Sequence, residues 1–295
     1  MDKYCINNIS GKMGSTGVFL GTEKSSGKRI AIKLFSEVTE FQKESLLRDA
    51  KILGRLSHPN IVKILDSGID EESNVFYVME YLEGAPLHQQ VPQHQGLSFG
   101  ESWPLIQKIA HALEAIHQSG VLHLDLKPAN ILMISGEPKI IDFGIMTPQE
   151  SGLFRGTPGY VAPEVILGNQ PTIQSDIYSF GALLAFIWTG QNLYHGNSPE
   201  NTLAHQLKNM KQFLEKSDLA DIITRATKPD PAKRYGSINE MLKALSVYQH
   251  EQEYVALEPS EDPTQTKWGQ SIIASIIISL VCVAIGIYYS LLNSV

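Results

Sequence analysis

The sequence is short of cysteine, of positive charge and of any apolar stretch near its start. It holds two cysteines in 295 residues, Cys5 near the beginning and Cys282 inside an apolar run. Two such residues do not make a disulfide framework, so the soluble part is expected in a reducing compartment. Lysine and arginine number 24 against 31 aspartates and glutamates, a formal net charge of -7. That balance argues against a nucleic-acid partner, which needs basic surface to neutralise phosphates. "MDKYCINNIS" has no apolar core region and does not read as a secretory signal peptide. Charged residues make up 19% and apolar ones 43%, ordinary globular values that allow one large domain or two lobes around a cleft.

One long apolar run is present, at the far end. Residues 271–292, "SIIASIIISLVCVAIGIYYSLL", carry no charge. As a helix the run would reach about 33 Å, enough to cross a hydrocarbon core. The alternative is a buried core helix, but the run is long and follows a polar, acidic stretch. A transmembrane helix over 271–292 is therefore expected, bracketed by Trp268 and Tyr288/Tyr289 as interfacial aromatics. Ser271, Ser275 and Ser279 recur every fourth residue, a spacing that lets two helices approach closely, so a homodimer through the span stays open. Residues 249–270 are polar and acidic with two prolines and read as a linker.

The remainder divides in two. Residues 1 to about 80 are rich in short alternating strands, with one helical stretch, and residues about 83–248 are mostly helical. In "KRIAIKLF", Ile30, Ile32 and Leu34 share one strand face, and Ala31, Lys33 and Phe35 share the other. A lysine inside an apolar strand is either an edge residue with its stem on the surface or a charge aimed into a cleft. Leu105, Ile106, Ile109, Ala110, Leu113 and Ile116 make a helical stripe. Ser98 and Glu101 suit a capping box ahead of it, but Pro104 leaves the start of that helix open. "DIYSFGALLAFIW" is apolar almost all round, as a central buried helix would be.

Several motifs carry the chemistry of phosphoryl transfer. Gly11, Gly14 and Gly17 precede Val18 in "GKMGSTGVF"; glycines let backbone amides approach phosphates, though a glycine-bearing hairpin alone is commonplace. Lys33 follows on a strand and can hold α- and β-phosphates as a point charge. "HLDLKPAN" supplies Asp125 to orient a hydroxyl, Lys127 to neutralise a γ-phosphate and Asn130 as an oxygen ligand for Mg2+. "IIDFG" adds Asp142, a second hard ligand. A lone aspartate is usually a turn or cap residue; two such motifs in order make coincidence improbable.

In these motifs, and over roughly residues 4–248, the chain resembles a eukaryotic-type serine/threonine protein kinase of the kind also found in bacteria. The resemblance implies an α+β, bilobal fold: a small β-rich lobe (about 1–80), a larger helical lobe (about 83–248), and a cleft that takes ATP and Mg2+. By resemblance Lys33 holds phosphates, Asp125 is the catalytic base, Lys127 its electrostatic helper, and Asn130 and Asp142 bind metal. Met79 would guard the back of the adenine pocket. Glu80 and Leu82 would bind adenine through their backbone, and Val18, Ala31 and Leu132 would sandwich the ring. "GTPGYVAPE" is similar to the segment that docks a substrate peptide. Its Thr157 would bridge Asp125 and Lys127, and the two together favour Ser or Thr over Tyr as acceptor. Glu164 would pair with Arg234, and Asp176 would brace the catalytic loop.

Three positions depart from the family pattern. The glycine loop is irregular: Met13 and Thr16 occupy the usual glycine sites unless a slip brings in Gly14 and Gly17. The acidic partner expected for Lys33 is Asp49, one methylene shorter than the usual glutamate, and the alternative is a solvated face residue. Leu124 stands where an arginine usually meets a phosphate on the activation segment, so ordering of that segment is not expected to need phosphorylation, although Thr147 and Ser151 remain candidate phosphosites. The expectation is an ATP- and Mg2+-dependent Ser/Thr kinase acting on protein substrates, single-pass in the cell membrane, with its catalytic domain in the cytoplasm. The rivals are a pseudokinase or nucleotide-binding scaffold, and a small-molecule phosphotransferase, which "GTPGYVAPE" disfavours.

Overall fold

The computed structural model describes residues 2–13, 16–143, 159–194, 198–207 and 218–257. The first lobe is a five-stranded antiparallel sheet and one helix. β1 (Tyr4–Met13), β2 (Thr16–Glu23), β3 (Arg29–Phe35), α1 (Glu40–Arg55), β4 (Ile64–Ile69) and β5 (Val75–Glu80) follow one another along the chain. The strand order is β1-β2-β3-β5-β4. The two faces expected of β3 separate as the alternation requires. Ile30 and Ile32 pack with Phe76 and Val78 on one side, with Leu34 partly buried against them. Ala31 and Phe35 join the main core on the other. Thr39 starts α1 with a capping box closed by Gln42, and Leu46, Ala50 and Leu53 turn the helix's apolar face inward.

The second lobe begins at a hinge after β5. It comprises β6 (Ala85–Pro86), α2 (Phe99–Gln118), β7 (Ile131–Ile134), β8 (Glu137–Ile140), α3 (Pro163–Ile166), α4 (Ile173–Thr189), α5 (Pro199–Leu207), α6 (Asp218–Ala226) and α7 (Ile238–Leu257). β6, β7 and β8 form a small sheet. α2 starts at Phe99 with Ser98 and Glu101 closing the capping box, and Pro104 is accommodated inside it. The carbonyl that a proline there crowds is that of residue i−4, here Gly100, which has no side chain to add to the clash. α4 is buried on nearly every side from Ser175 to Ile187 and forms the axis of this lobe. Its left-handed C-cap, Gly190, has φ 66°, and a Cβ there would stand 2.1 Å from the Pro92 carbonyl oxygen.

Residues up to Gln249 form one compact unit and a second begins at His250. α7 runs on to Leu257. Ile238, Met241 and Leu245 bury its first turns. Beyond them "QHEQEYVAL" is mostly composed of good helix formers, so propagation costs little until Pro259 approaches. Among the described residues no helix is long and apolar enough to cross a membrane, and the run 271–292 lies outside them.

Candidate active site

Lys33 is buried, mid-strand on β3, opposite Val18 on β2 and Tyr77 on β5. Its ammonium forms an ion pair with Asp142 and donates to the Phe143 carbonyl at 2.9 Å. Asp49 is not its partner here; the cation beside Asp49 is Arg48, at 3.3 Å. The Asp49 carboxyl is pushed up by burial, with the Arg48 charge and hydrogen bond opposing. The expected Lys33–Asp49 pair is thus absent in this state. Asp142 supplies the carboxylate that Lys33 meets, and Asp49 meets Arg48 instead.

The catalytic-loop residues converge on Asp125. Lys127 Nζ donates to both of its carboxylate oxygens, at 3.0 and 2.8 Å. Asn130 Nδ2 donates to its carbonyl and to its Oδ2, each at 2.8 Å. With Nδ2 directed at Asp125, the amide oxygen of Asn130 is the atom suited to a hard cation. The 3-10 turn Pro128–Asn130 leads into β7, and the Asn130 carbonyl accepts from the Ile141 amide at 2.9 Å. That bond sets Asp142 beside Asn130, so Lys33, Asp142, Asn130, Asp125 and Lys127 form one linked constellation.

Two of its backbone positions are strained. Leu124 has φ 63° and Asp142 has φ 65°, the left-handed region that non-glycine residues avoid. Asp176, wholly buried on α4, holds the first of these. It accepts from the amides of His123 and Leu124 at 2.8 Å each, and contacts His117 Nε2 at 2.8 Å. Burial alone would raise its carboxyl, but the hydrogen bond and charge of His117, with help from His123, hold it below the usual range. The Leu124 side chain lines a small cleft with Val161, Ala162 and Val165.

At the hinge, Met79 is buried and pairs with Ala31 across the sheet, while Val18, Ala31, Leu82 and Leu132 are half-buried. Glu80, expected to act through its backbone, also uses its side chain. It accepts from the Lys63 amide at 2.9 Å and from Lys139 on β8 at 2.6 Å, tying the chain just before β4, the end of β5 and the second lobe together. In the β1–β2 hairpin, Gly11 pairs with Val18 and Gly17 with Lys12, and the strands close at Met13–Thr16. Gly14 and Thr157 lie outside the described residues.

The profile of the protein kinase domain matches residues 7–251. This chain belongs to the protein kinase domain family. Among curated relatives, the kinase domain is 35% identical over 241 residues to serine/threonine-protein kinase PknK of Mycobacterium tuberculosis, covering 76% of this chain and 22% of that one. It is 33% identical over 264 residues to the probable serine/threonine-protein kinase PknB of Lactococcus lactis, covering 82% and 41%. It is 31% identical over 257 residues to serine/threonine-protein kinase PrkC of Bacillus subtilis, covering 81% and 39%. The match spans less than half the length of each of these relatives.

Sequence reasoning passed over His117, His123, Tyr77, Phe143 and Lys139. His117 carried a faint signal, a polar residue one place after Ile116 of the apolar stripe on α2. Lys139 carried none, because its partner Glu80 is distant in sequence.

Proposed function

We propose that the kinase domain transfers the γ-phosphoryl group of ATP to serine or threonine hydroxyls of protein substrates, with Mg2+ as the metal. The carrying observation is the Asp125 carboxylate held by Lys127 and Asn130 next to the Lys33–Asp142 pair. Asn130 and Asp142 supply the hard oxygens that Mg2+ requires, and the metal would neutralise charge building on the phosphates. Lys33 would exchange its bond to Asp142 for phosphate oxygens. Asp125 orients the acceptor hydroxyl and receives its proton as the oxygen attacks phosphorus and the bond to the leaving diphosphate breaks. Lys127, already on Asp125, lies where it can offset negative charge on the transferred group.

Two further parts belong to the proposal. The run 271–292 anchors the chain as a single-pass protein of the cell membrane with the kinase domain in the cytoplasm; its length and lack of charge support this. The activation segment orders without phosphorylation. Supporting this, Leu124 lines a small cleft with the apolar Val161, Ala162 and Val165, and Asp176 holds its backbone.

The full chain incubated with γ-labelled ATP and Mg2+ should label serine or threonine on itself or on a basic protein substrate. Asp125→Ala should abolish labelling while remaining folded, and a Thr147→Ala/Ser151→Ala double variant should retain it. Full labelling by the Asp125→Ala protein would remove Asp125 from its role. The rival is a nucleotide-binding scaffold without transfer, favoured by one observation, the missing Lys33–Asp49 pair. Nucleotide binding with no labelling under any condition would support it.

A further inference from the structure

Tyr77 lies in the middle of β5 as the direct cross-strand partner of Lys33, so both side chains leave the sheet on the same face. It is 4% exposed. A buried tyrosine needs a partner for its hydroxyl. This one donates to the Leu46 carbonyl of α1 at 2.8 Å. That carbonyl lies inside a regular helix and also takes the amide four residues on, so the tyrosine bond is additional to the helical ladder. Its effect is to join α1 to β5 at one separation and one rotation.

The neighbours connect this bond to Lys33. The Tyr77 ring meets Phe35 edge-on, with centroids 4.8 Å apart. The Lys33 ammonium lies 4.9 Å from the centroid of the same Phe35 ring. Asp49 lies three residues beyond Leu46, on the neighbouring turn of the helix. Burial chiefly, and then the Asp49 charge, raise the Tyr77 hydroxyl well above the usual phenol range. Lys33, Phe35, Tyr77 and the Leu46 carbonyl are therefore one linked assembly between β3, β5 and α1, with Asp49 one turn further along the helix.

In that assembly the ion pair that could set the position of α1 is not made. A glutamate at position 49 would reach about 1.5 Å further, one more carbon–carbon bond. We propose that Tyr77 is a positioning residue for the phosphate-holding site: its hydroxyl bond to Leu46 fixes the approach of α1 to Lys33 that the short Asp49 cannot fix by itself. The inference deepens the kinase reading and rests on Lys33 being the phosphate-holding lysine. Tyr77 touches neither nucleotide nor substrate; it acts through α1.

Removing the hydroxyl leaves the ring, its contact with Phe35 and the helical bond to Leu46 in place, so Tyr77→Phe should fold. The test compares the parent full chain with Tyr77→Phe, Asp49→Glu and the double variant. kcat and KM for ATP are measured on a basic protein substrate, and amide hydrogen exchange across residues 40–55 is measured without nucleotide. Tyr77→Phe is expected to lower kcat about three- to tenfold, the kinetic equivalent of one hydrogen bond. KM for ATP should move less than kcat, and α1 amides should exchange faster. In the Asp49→Glu background the same loss should shrink to about twofold or less and the exchange should slow again, because the longer carboxylate can reach Lys33 directly. A Tyr77→Phe protein with parental kcat and parental exchange overturns the proposal. So does a loss that is equally large in the Asp49→Glu background, which would make Tyr77 a brace for the fold alone. Lys33→Met is run alongside. If it keeps parental kcat, the reading of Lys33 fails; if it is inactive while Tyr77→Phe is indistinguishable from the parent, only the role of Tyr77 fails.

Discussion

His123 has no route to water. Its Nδ1 faces the Asp125 amide at 3.3 Å and its Nε2 the Ile141 carbonyl at 3.2 Å, which fixes the neutral tautomer with hydrogen on Nε2. Burial pushes the imidazole below its ordinary 6.5, against the opposing pull of Asp176, Asp125, the Ile141 carbonyl and Asp142. As pH falls through 6.5 the unfolded chain therefore binds a proton that the folded chain refuses. Stability from this group is complete above 6.5 and declines below it, by at most about 1.4 kcal/mol per pH unit. Urea unfolding should show a midpoint that drops between pH 6.5 and 5.5, and His123→Phe should make that drop shallower. His58, also lowered by burial and by His111, contributes equally to both proteins, so their difference isolates His123. The aspartates and lysines that surround this ring were legible as motif letters. The ring's own burial was not, because a histidine letter does not disclose whether water reaches it.

Among elements, one arginine joins α3, α4 and the loop that follows α6. Arg234 sends Nη1 to Glu164 Oε1 and to the Gln174 carbonyl, both at 2.8 Å. Nη2 reaches Glu164 Oε2 at 2.7 Å and the Pro229 carbonyl at 3.1 Å, and Nε reaches the Lys228 carbonyl at 2.7 Å. Ser175 on α4 completes the carboxylate of Glu164 on α3 at 2.8 Å. Every guanidinium donor is satisfied, and the side chain has no exposure. Arg234→Ala leaves Glu164 buried without a cation, which costs about 3–5 kcal/mol in urea unfolding. Arg234→Lys should recover little of it, since an ammonium cannot reproduce the planar fork. The pair itself was expected from the resemblance. The extra carbonyl partners were not, because backbone acceptors leave no mark in a sequence. α7 reaches Leu257 because a helix whose early turns are buried can run on through residues that show no apolar stripe.

For the whole molecule, the two lobes are joined at the hinge by Glu80, through its bonds to Lys63 and Lys139. A ligand held between the lobes stabilises both at once. ATP with Mg2+ at a hundred times its dissociation constant should raise folding stability by about 2.7 kcal/mol, read as a higher melting temperature. EDTA should remove most of that gain if Asn130 and Asp142 hold the metal. Cell fractionation tests the apolar run: the full chain should sediment with membranes, and a chain ending at Leu257 should stay in the supernatant. A full-length protein found in the supernatant would dispose of the anchor.

Read alone, the amino-acid string yields the two-part division, the faces of β3, the central helix and the order of the chemical residues. Those follow from local spacing, because side-chain direction in a strand or helix is set by its own repeat. It could not determine which acid Lys33 would meet, Asp49 or Asp142, or that Tyr77 would fasten α1. Those outcomes depend on how closely a helix and two strands approach, a distance fixed jointly by packed rings and one hydroxyl bond from residues far apart in the chain.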